Sequence, residues 1–194
     1  MTVYDSDLKA QRIFRELMNA FAHPFRVHSI KSEVETGPSI HGENSVITEL
    51  CQVFLDNSVS FCVCGDENLA AGIREMTYAK PAEIDKADFI VIKNPGKFES
   101  WDKIYPGTLF SPHKGATVVV DVPSIAGDVK IMAEGPGING RISYFVDSGI
   151  AECLFRAAEL DIEYPMGFEL IFVTGQGDII AVPRHVKVYG EVLV

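Results

Sequence analysis

The sequence predicts an α/β protein, a three-layer α/β/α arrangement around a mixed β-sheet, on two observations. Early in the chain, segments with apolar residues at helical spacing alternate with short, continuous apolar runs of the kind that form strands covered on both faces. The end of the chain is strand-rich and includes an apolar hairpin.

The opening helix is predicted over Leu8 to Phe21, where Ala10, Ile13, Phe14, Leu17, Met18 and Phe21 follow the i, i+3, i+4 spacing of one helical face. Asp5 or Ser6 is placed to cap it, and His23-Pro24 to end it, because the residue before a proline is pushed out of the helical region. A second helix is expected from about Asn44 to Leu55 and a third from about Glu67 to Ala79, with a buried strand, Val59 to Cys64, between them. Phe89 to Ile92, Thr117 to Val122 and Val129 to Met132 read as further strands. Ser148 to Leu160 reads as a fourth helix, with Ile150, Leu154 and Ala157 or Ala158 inward.

The hairpin joins Phe168 to Val173 and Ile179 to Val182 through Thr174 to Asp178, whose two glycines can supply the positive φ of a tight return. Pro183 brings no N–H to a ladder and ends the second strand, and a basic patch of Arg184, His185 and Lys187 follows. No internal repeat or low-complexity tract is present.

At 194 residues the chain is expected to form one domain over residues 1–194, long enough to remove about 70% of its unfolded surface from water. Its content of 47% hydrophobic and 23% charged residues is that of a soluble protein. No apolar run approaches the roughly 20 residues of a membrane span, and the N-terminus lacks the basic-then-apolar pattern of a secretory signal. A formal charge of −10 argues against a general nucleic-acid binder, which needs many cationic contacts to phosphates. Cys51, Cys62, Cys64 and Cys153 include no C-x-x-C pair and no zinc-type spacing, so reduced, buried thiols and a cytoplasmic setting are expected.

Two segments are candidates for binding. The GPGI turn, Gly135 to Ile138, could form an anion-binding nest from successive backbone N–H groups, although it lacks the G-K-[ST] of a P-loop and the G-x-G-x-x-G of a dinucleotide site. A plain strand-to-loop turn is the simpler reading of Gly135 and Gly137. Arg184 could hold an anion or a partner's carboxylate with its planar fork, or form an internal ion pair with one of the 27 acidic side chains. His23, His28, His41, His113 and His185 are scattered, with no H-x-x-x-H pair, and no serine sits in a G-x-S-x-G turn. No catalytic residue and no metal ligand set is therefore named.

The wording of the C-terminal hairpin, a P-x-G-x-[DE]-aliphatic run, a glycine turn and an aliphatic-Pro-Arg closure from Tyr164 to Val188, resembles the signature of the PhnH family. Gly107-Thr108 leading into SPHKGATVVVDVPSI, the GPGI turn and the FRELMNAF opening at Phe14 to Phe21 agree with it, in order along nearly the whole chain. The resemblance implies a fold similar to the large domain of pyridoxal-phosphate-dependent transferases, without that cofactor. It also implies a subunit of the bacterial carbon–phosphorus lyase system, acting with PhnG, PhnI and PhnL when an alkylphosphonate displaces adenine from ATP, with PhnJ as a further partner subunit. The product is an α-D-ribose 1-methylphosphonate 5-triphosphate or its analogue, and the subunit itself is expected to be homodimeric and non-catalytic. His23, Pro24 and Phe25, His113 and Lys114, and His185 and Val186 depart from the family pattern, so no role is carried over to them. Two alternatives stay open: an enzyme using pyridoxal phosphate, for which none of the ten lysines lies in a marking motif, and a homo-oligomeric binding protein for a small anion.

Overall fold

The computed structural model describes residues 3–33 and 45–190. Helix α1 spans Val3–Ala22, so the expected capping positions, Asp5 and Ser6, lie inside it and not at its start. It ends where expected: His23 N–H closes the last turn on Asn19 O at 3.0 Å, and Phe25 then adopts φ 64°. Ile13, Leu17 and Ala20 are fully buried, whereas Phe14 and Met18 remain 47% and 40% exposed. A helix lying on a sheet buries one stripe, and Phe14 and Met18 fall on its solvent flank.

Helix α2 spans Ser45–Phe54; Asn44, the expected start, lies outside the described residues. Helix α3, Glu67–Thr77, starts at Asp66, whose carboxylate accepts the Leu69 N–H at 2.9 Å, and stops at Tyr78 with φ 58°. Helix α4, Ser148–Glu159, is capped in the same way by Asp147, which accepts the Gly149 N–H at 2.8 Å. Ile150 and Leu154 point inward, while Ala157 is half-buried and Ala158 exposed.

The strands are β1 (His28–Ser29), β2 (Ser60–Cys64), β3 (Lys80–Pro81), β4 (Phe89–Ile92), β5 (Thr117–Val122), β6 (Val129–Glu134), β7 (Ile142–Val146), β8 (Glu169–Thr174), β9 (Asp178–Val182) and β10 (Lys187–Gly190). They form a seven-stranded sheet in the order β1-β9-β8-β5-β4-β2-β3 and a three-stranded sheet in the order β10-β6-β7. In the large sheet β3, β2, β4, β5 and β8 are parallel and the hairpin strand β9 runs against β8, so the sheet is mixed, as predicted. The small sheet is antiparallel throughout. In the β8–β9 turn only Gly177 takes a positive φ, 83°, and Lys31 N approaches to 3.1 Å of the Cβ position it leaves empty. Thr174 Oγ1 completes the turn by accepting the Asp178 N–H.

The period-two pattern of β5 divides the core. Val119 joins Val91, Ile171 and Ala181 under α1, α2 and α3, against Ile13, Leu17, Leu50 and Ile73. Val118 and Val120 join Ile90, Ile92, Phe172 and Ile180 on the opposite face, against Ile150 and Leu154 of α4 and Ile131 and Ala133 of β6. The second cover is thus one helix together with a small sheet, and not the helical layer expected from the sequence. Cys62 and Cys64 share a face of β2 and are half-buried, not buried as expected, with their sulfurs 3.9 Å apart.

Candidate functional site

The antiparallel β8–β9 ladder brings the start of β8 beside the end of β9. Leu170 is opposite Val182, which leaves Glu169 next to Pro183 and the residue after it. Arg184 therefore emerges against Glu169, donating its backbone N–H to one carboxylate oxygen at 2.9 Å and its Nε to the other at 2.7 Å. Its Nη1 donates to the carbonyl of Pro112. The two side chains are only 15% and 20% exposed, so the pair is largely removed from solvent screening.

Close backbone approach keeps this junction narrow. Gly167, at φ 144°, leaves room for Arg184 Cβ at 3.0 Å from its own missing Cβ, and its N–H donates to Pro106 O at 2.8 Å. Any Cβ on Gly115 would lie 2.0 Å from Gly167 O. The segment 106–115, the start of β8 and the exit of β9 are consequently held as one unit.

Beside it opens a cleft of about 660 Å³ between α4, the 161–168 loop and the chain running from β9 into β10. Leu154, Leu170, Val182 and Val188 give it an apolar floor, while Arg184, His185 and Lys187 line it with basic groups and Asp161 with one carboxylate. The His185 ring lies 4.7 Å from that of Tyr164. An apolar floor with basic groups at its walls suits an anion that carries an apolar or planar group, or an apolar, acidic segment of another chain.

The GPGI turn touches this cleft through Pro136 and is closed by Ile138 N–H donating to Gly135 O at 3.1 Å. Gly135, at φ 144°, backs onto His185 O, 2.8 Å from the Cβ it lacks, and Gly137, at φ 80°, backs onto Pro24 Cδ and Ala22 O at 2.6 and 2.7 Å. Both glycines are thus required by close packing, and carbonyl oxygens line the packed side of the turn. The structure brings Gly135 and Arg184 to the same region through the His185 backbone, while Gly137 faces the end of α1.

Among the described histidines, His23 and His28 approach with ring centres 6.5 Å apart, a juxtaposition with no local sequence signal. His28 Nδ1 pairs with Glu16 at 3.1 Å. His113 and Lys114 lie exposed on a short 3-10 turn, Pro112–Lys114; His41 lies outside the described residues. Among the described residues no group of three or more His, Cys, Asp or Glu side chains could hold a metal, and no helix is long and apolar enough to cross a membrane. The partner of Arg184 was legible only through register: once the turn length of the hairpin is fixed, Glu169 and Arg184 must be neighbours.

Residues 3–189 match the family model described as PhnH, bacterial phosphonate metabolism protein. The chain is 26% identical over 190 residues to HtxG of Stutzerimonas stutzeri, named as a C-P lyase subunit protein, covering 94% of this chain and 88% of that one. It is 25% identical over 195 residues to the PhnH subunit of α-D-ribose 1-methylphosphonate 5-triphosphate synthase of Rhizobium meliloti, covering 96% of this chain and 94% of that one.

Proposed function

We propose, because this chain belongs to the PhnH family of bacterial phosphonate metabolism proteins, that it is a subunit of an α-D-ribose 1-methylphosphonate 5-triphosphate synthase in the carbon–phosphorus lyase pathway. The observation that carries this reading is near end-to-end similarity to a synthase subunit of that name, over 96% of this chain. The synthase transfers the ribose triphosphate moiety of ATP to an alkylphosphonate, and in this reading PhnG, PhnI, PhnJ and PhnL are the partner subunits. The chain works as one cytoplasmic domain, forms a homodimer and acts as a structural or assembly subunit without a cofactor. Its fold follows the large domain of pyridoxal-phosphate-dependent transferases in layout only. Arg184, with the turn of Gly135 and Gly137 beside it, marks the region that meets a partner or an anion, since Arg184 lines a cleft with basic groups at its walls and the turn reaches that cleft through Pro136.

The test is reconstitution. PhnG, PhnI and PhnL of the same source, with ATP and methylphosphonate, should release adenine and form the ribose methylphosphonate triphosphate only when this chain is added. Equal turnover without it would overturn the reading, and turnover by the chain alone would overturn the non-catalytic role.

A second reading, a binding protein for a small anion, is favoured by the basic cleft itself. It requires a rise in melting temperature on adding ATP or methylphosphonate to the isolated chain.

A further inference from the structure

Phe110 is 98% exposed and its neighbour Leu109 52% exposed, at the tip of the loop between Gly107 and Gly115. Scattered surface hydrophobics are ordinary, but this pair sits on a scaffold that does not let it fold back. Thr108 and Ser111 exchange backbone hydrogen bonds at 3.4 and 3.0 Å, and Thr108 Oγ1 also accepts the Ser111 N–H at 3.1 Å. Gly107, at φ 83°, lies so close beneath the turn that a Cβ there would be 2.9 Å from Pro112 O. At the base, Ala116 N–H donates to Tyr105 O at 2.9 Å, Gly167 N–H to Pro106 O at 2.8 Å, and Arg184 to Pro112 O.

The loop is also electrostatically distinct. From Gly107 to Gly115 it carries Lys114 and His113 and not one carboxylate, and Lys103 lies shortly before it, in a chain with a formal charge of −10. Lys103, His113 and Lys114 are all exposed. A large aromatic side chain on a preorganised, locally basic turn loses little freedom on docking, which is the economy of an interface anchor.

We propose that the Leu109-Phe110 tip is the anchor by which this chain docks on another subunit of the synthase, entering an apolar pocket rimmed by carboxylates. The inference rests on the reading of the chain as a synthase subunit. A protein partner is favoured over an anionic membrane, because the chain as a whole is strongly acidic and the apolar tip is only two residues wide.

The experiment co-expresses this chain with PhnG, PhnI and PhnJ of the same source and measures the affinity of the purified chain for the resulting complex, with Phe110→Ala and Lys114→Glu as variants. Phe110→Ala should weaken binding at least about 30-fold with no change in melting temperature. Lys114→Glu should slow association and flatten its salt dependence. Wild-type-like affinity in Phe110→Ala overturns the anchor while the subunit reading stands. Failure of the wild-type chain to bind the complex overturns both. Loss of self-association in light scattering, or loss of sedimentation with phosphatidylglycerol vesicles, with partner affinity unchanged, assigns the tip to a second copy or a membrane and overturns the proposal.

Discussion

Arg184 and Glu169 lock the open end of the β8–β9 hairpin: the carboxylate of Glu169 accepts the Arg184 backbone N–H at 2.9 Å and its Nε at 2.7 Å. The same guanidinium reaches across to Pro112 O, so one side chain ties the hairpin to the loop that carries Phe110. Arg184 thus braces the fold whatever it meets in an assembly.

The first prediction follows from that brace. An exposed arginine would tolerate removal with a change of no more than about 0.5 kcal/mol, but this pair is mostly buried. Arg184→Ala should cost about 1–3 kcal/mol, less than the about 3–5 kcal/mol of a fully buried broken pair because some solvent reaches both groups. Arg184→Lys should recover only part, since an ammonium cannot bond Glu169 and Pro112 with one planar fork. Urea unfolding of the two variants checks this; a loss below about 0.5 kcal/mol in Arg184→Ala would return Arg184 to a surface role.

The GPGI turn supplies a second. Gly137 and Gly140 have nearly equal φ, 80° and 79°, but a Cβ on Gly137 would meet Pro24 Cδ at 2.6 Å while one on Gly140 would meet nothing within 4 Å. Gly140→Ala should therefore cost only the conformational term, about 1–2 kcal/mol, and Gly137→Ala should add an overpacking cost of about 1–3 kcal/mol. Denaturation midpoints of the two variants measure the difference directly. Equal losses would mean that the α1 exit moves freely aside.

Periodicity made the principal elements legible. The strands Phe89–Ile92 and Thr117–Val122 are found as expected, and the mixed character of the sheet follows from the hairpin. The short strands were not, because two residues such as His28–Ser29 or Lys80–Pro81 contain no alternation to detect. The small sheet was missed for another reason: β7 and β10 are half-exposed edges whose pairing with β6 is set by distant contacts. At the site, Arg184 and the two glycines could be singled out from the sequence, but the clamp on Glu169 and Pro112 depends on register and on a contact between residues 72 positions apart.

The thiols differ enough to be told apart chemically. Burial pushes Cys51 up to about 12, and burial followed by the Glu152 carboxylate does the same to Cys153. In the half-buried pair, the hydrogen bond from Cys64 draws Cys62 down to about 7 against the opposing effect of burial, while Cys64 is pushed up by the same bond. Iodoacetamide on the native protein should modify Cys62 first, at a rate that rises through neutral pH. Cys64→Ala should return that rise to the ordinary thiol range, whereas Cys64→Ser, which keeps a donor, should largely preserve it. Peptide mapping that found Cys51 or Cys153 alkylated first would contradict this.

The last prediction concerns acid and alkali at the small sheet. Glu134 of β6 accepts the Tyr189 hydroxyl of β10 at 2.7 Å and Arg141 Nε at 3.1 Å, and the Arg141 guanidinium lies 4.6 Å from the Tyr189 ring centre. The Tyr189 hydroxyl first, and Arg141 second, hold the Glu134 carboxyl below its usual range; the Glu134 carboxylate in turn raises the Tyr189 phenol. A depressed carboxyl contributes stability that is complete above its unfolded value, about 4.3, and is lost as pH falls through the lower folded value. A raised phenol contributes stability that is complete below its unfolded value, about 10, and is lost as pH rises through the higher folded value. The tie between β10 and β6 is therefore intact across the neutral range and weakens at both extremes. Carbon-13 NMR should show Glu134 titrating below the usual carboxylate range in the wild-type chain and moving upward in Tyr189→Phe, with a flatter acid limb in the melting curve of that variant. Superimposable titrations in the two proteins would show that Glu134 is held by Arg141 alone, and that β10 is anchored by its ladder and by Gly190 packing 3.1 Å from the Phe155 ring at its missing Cβ.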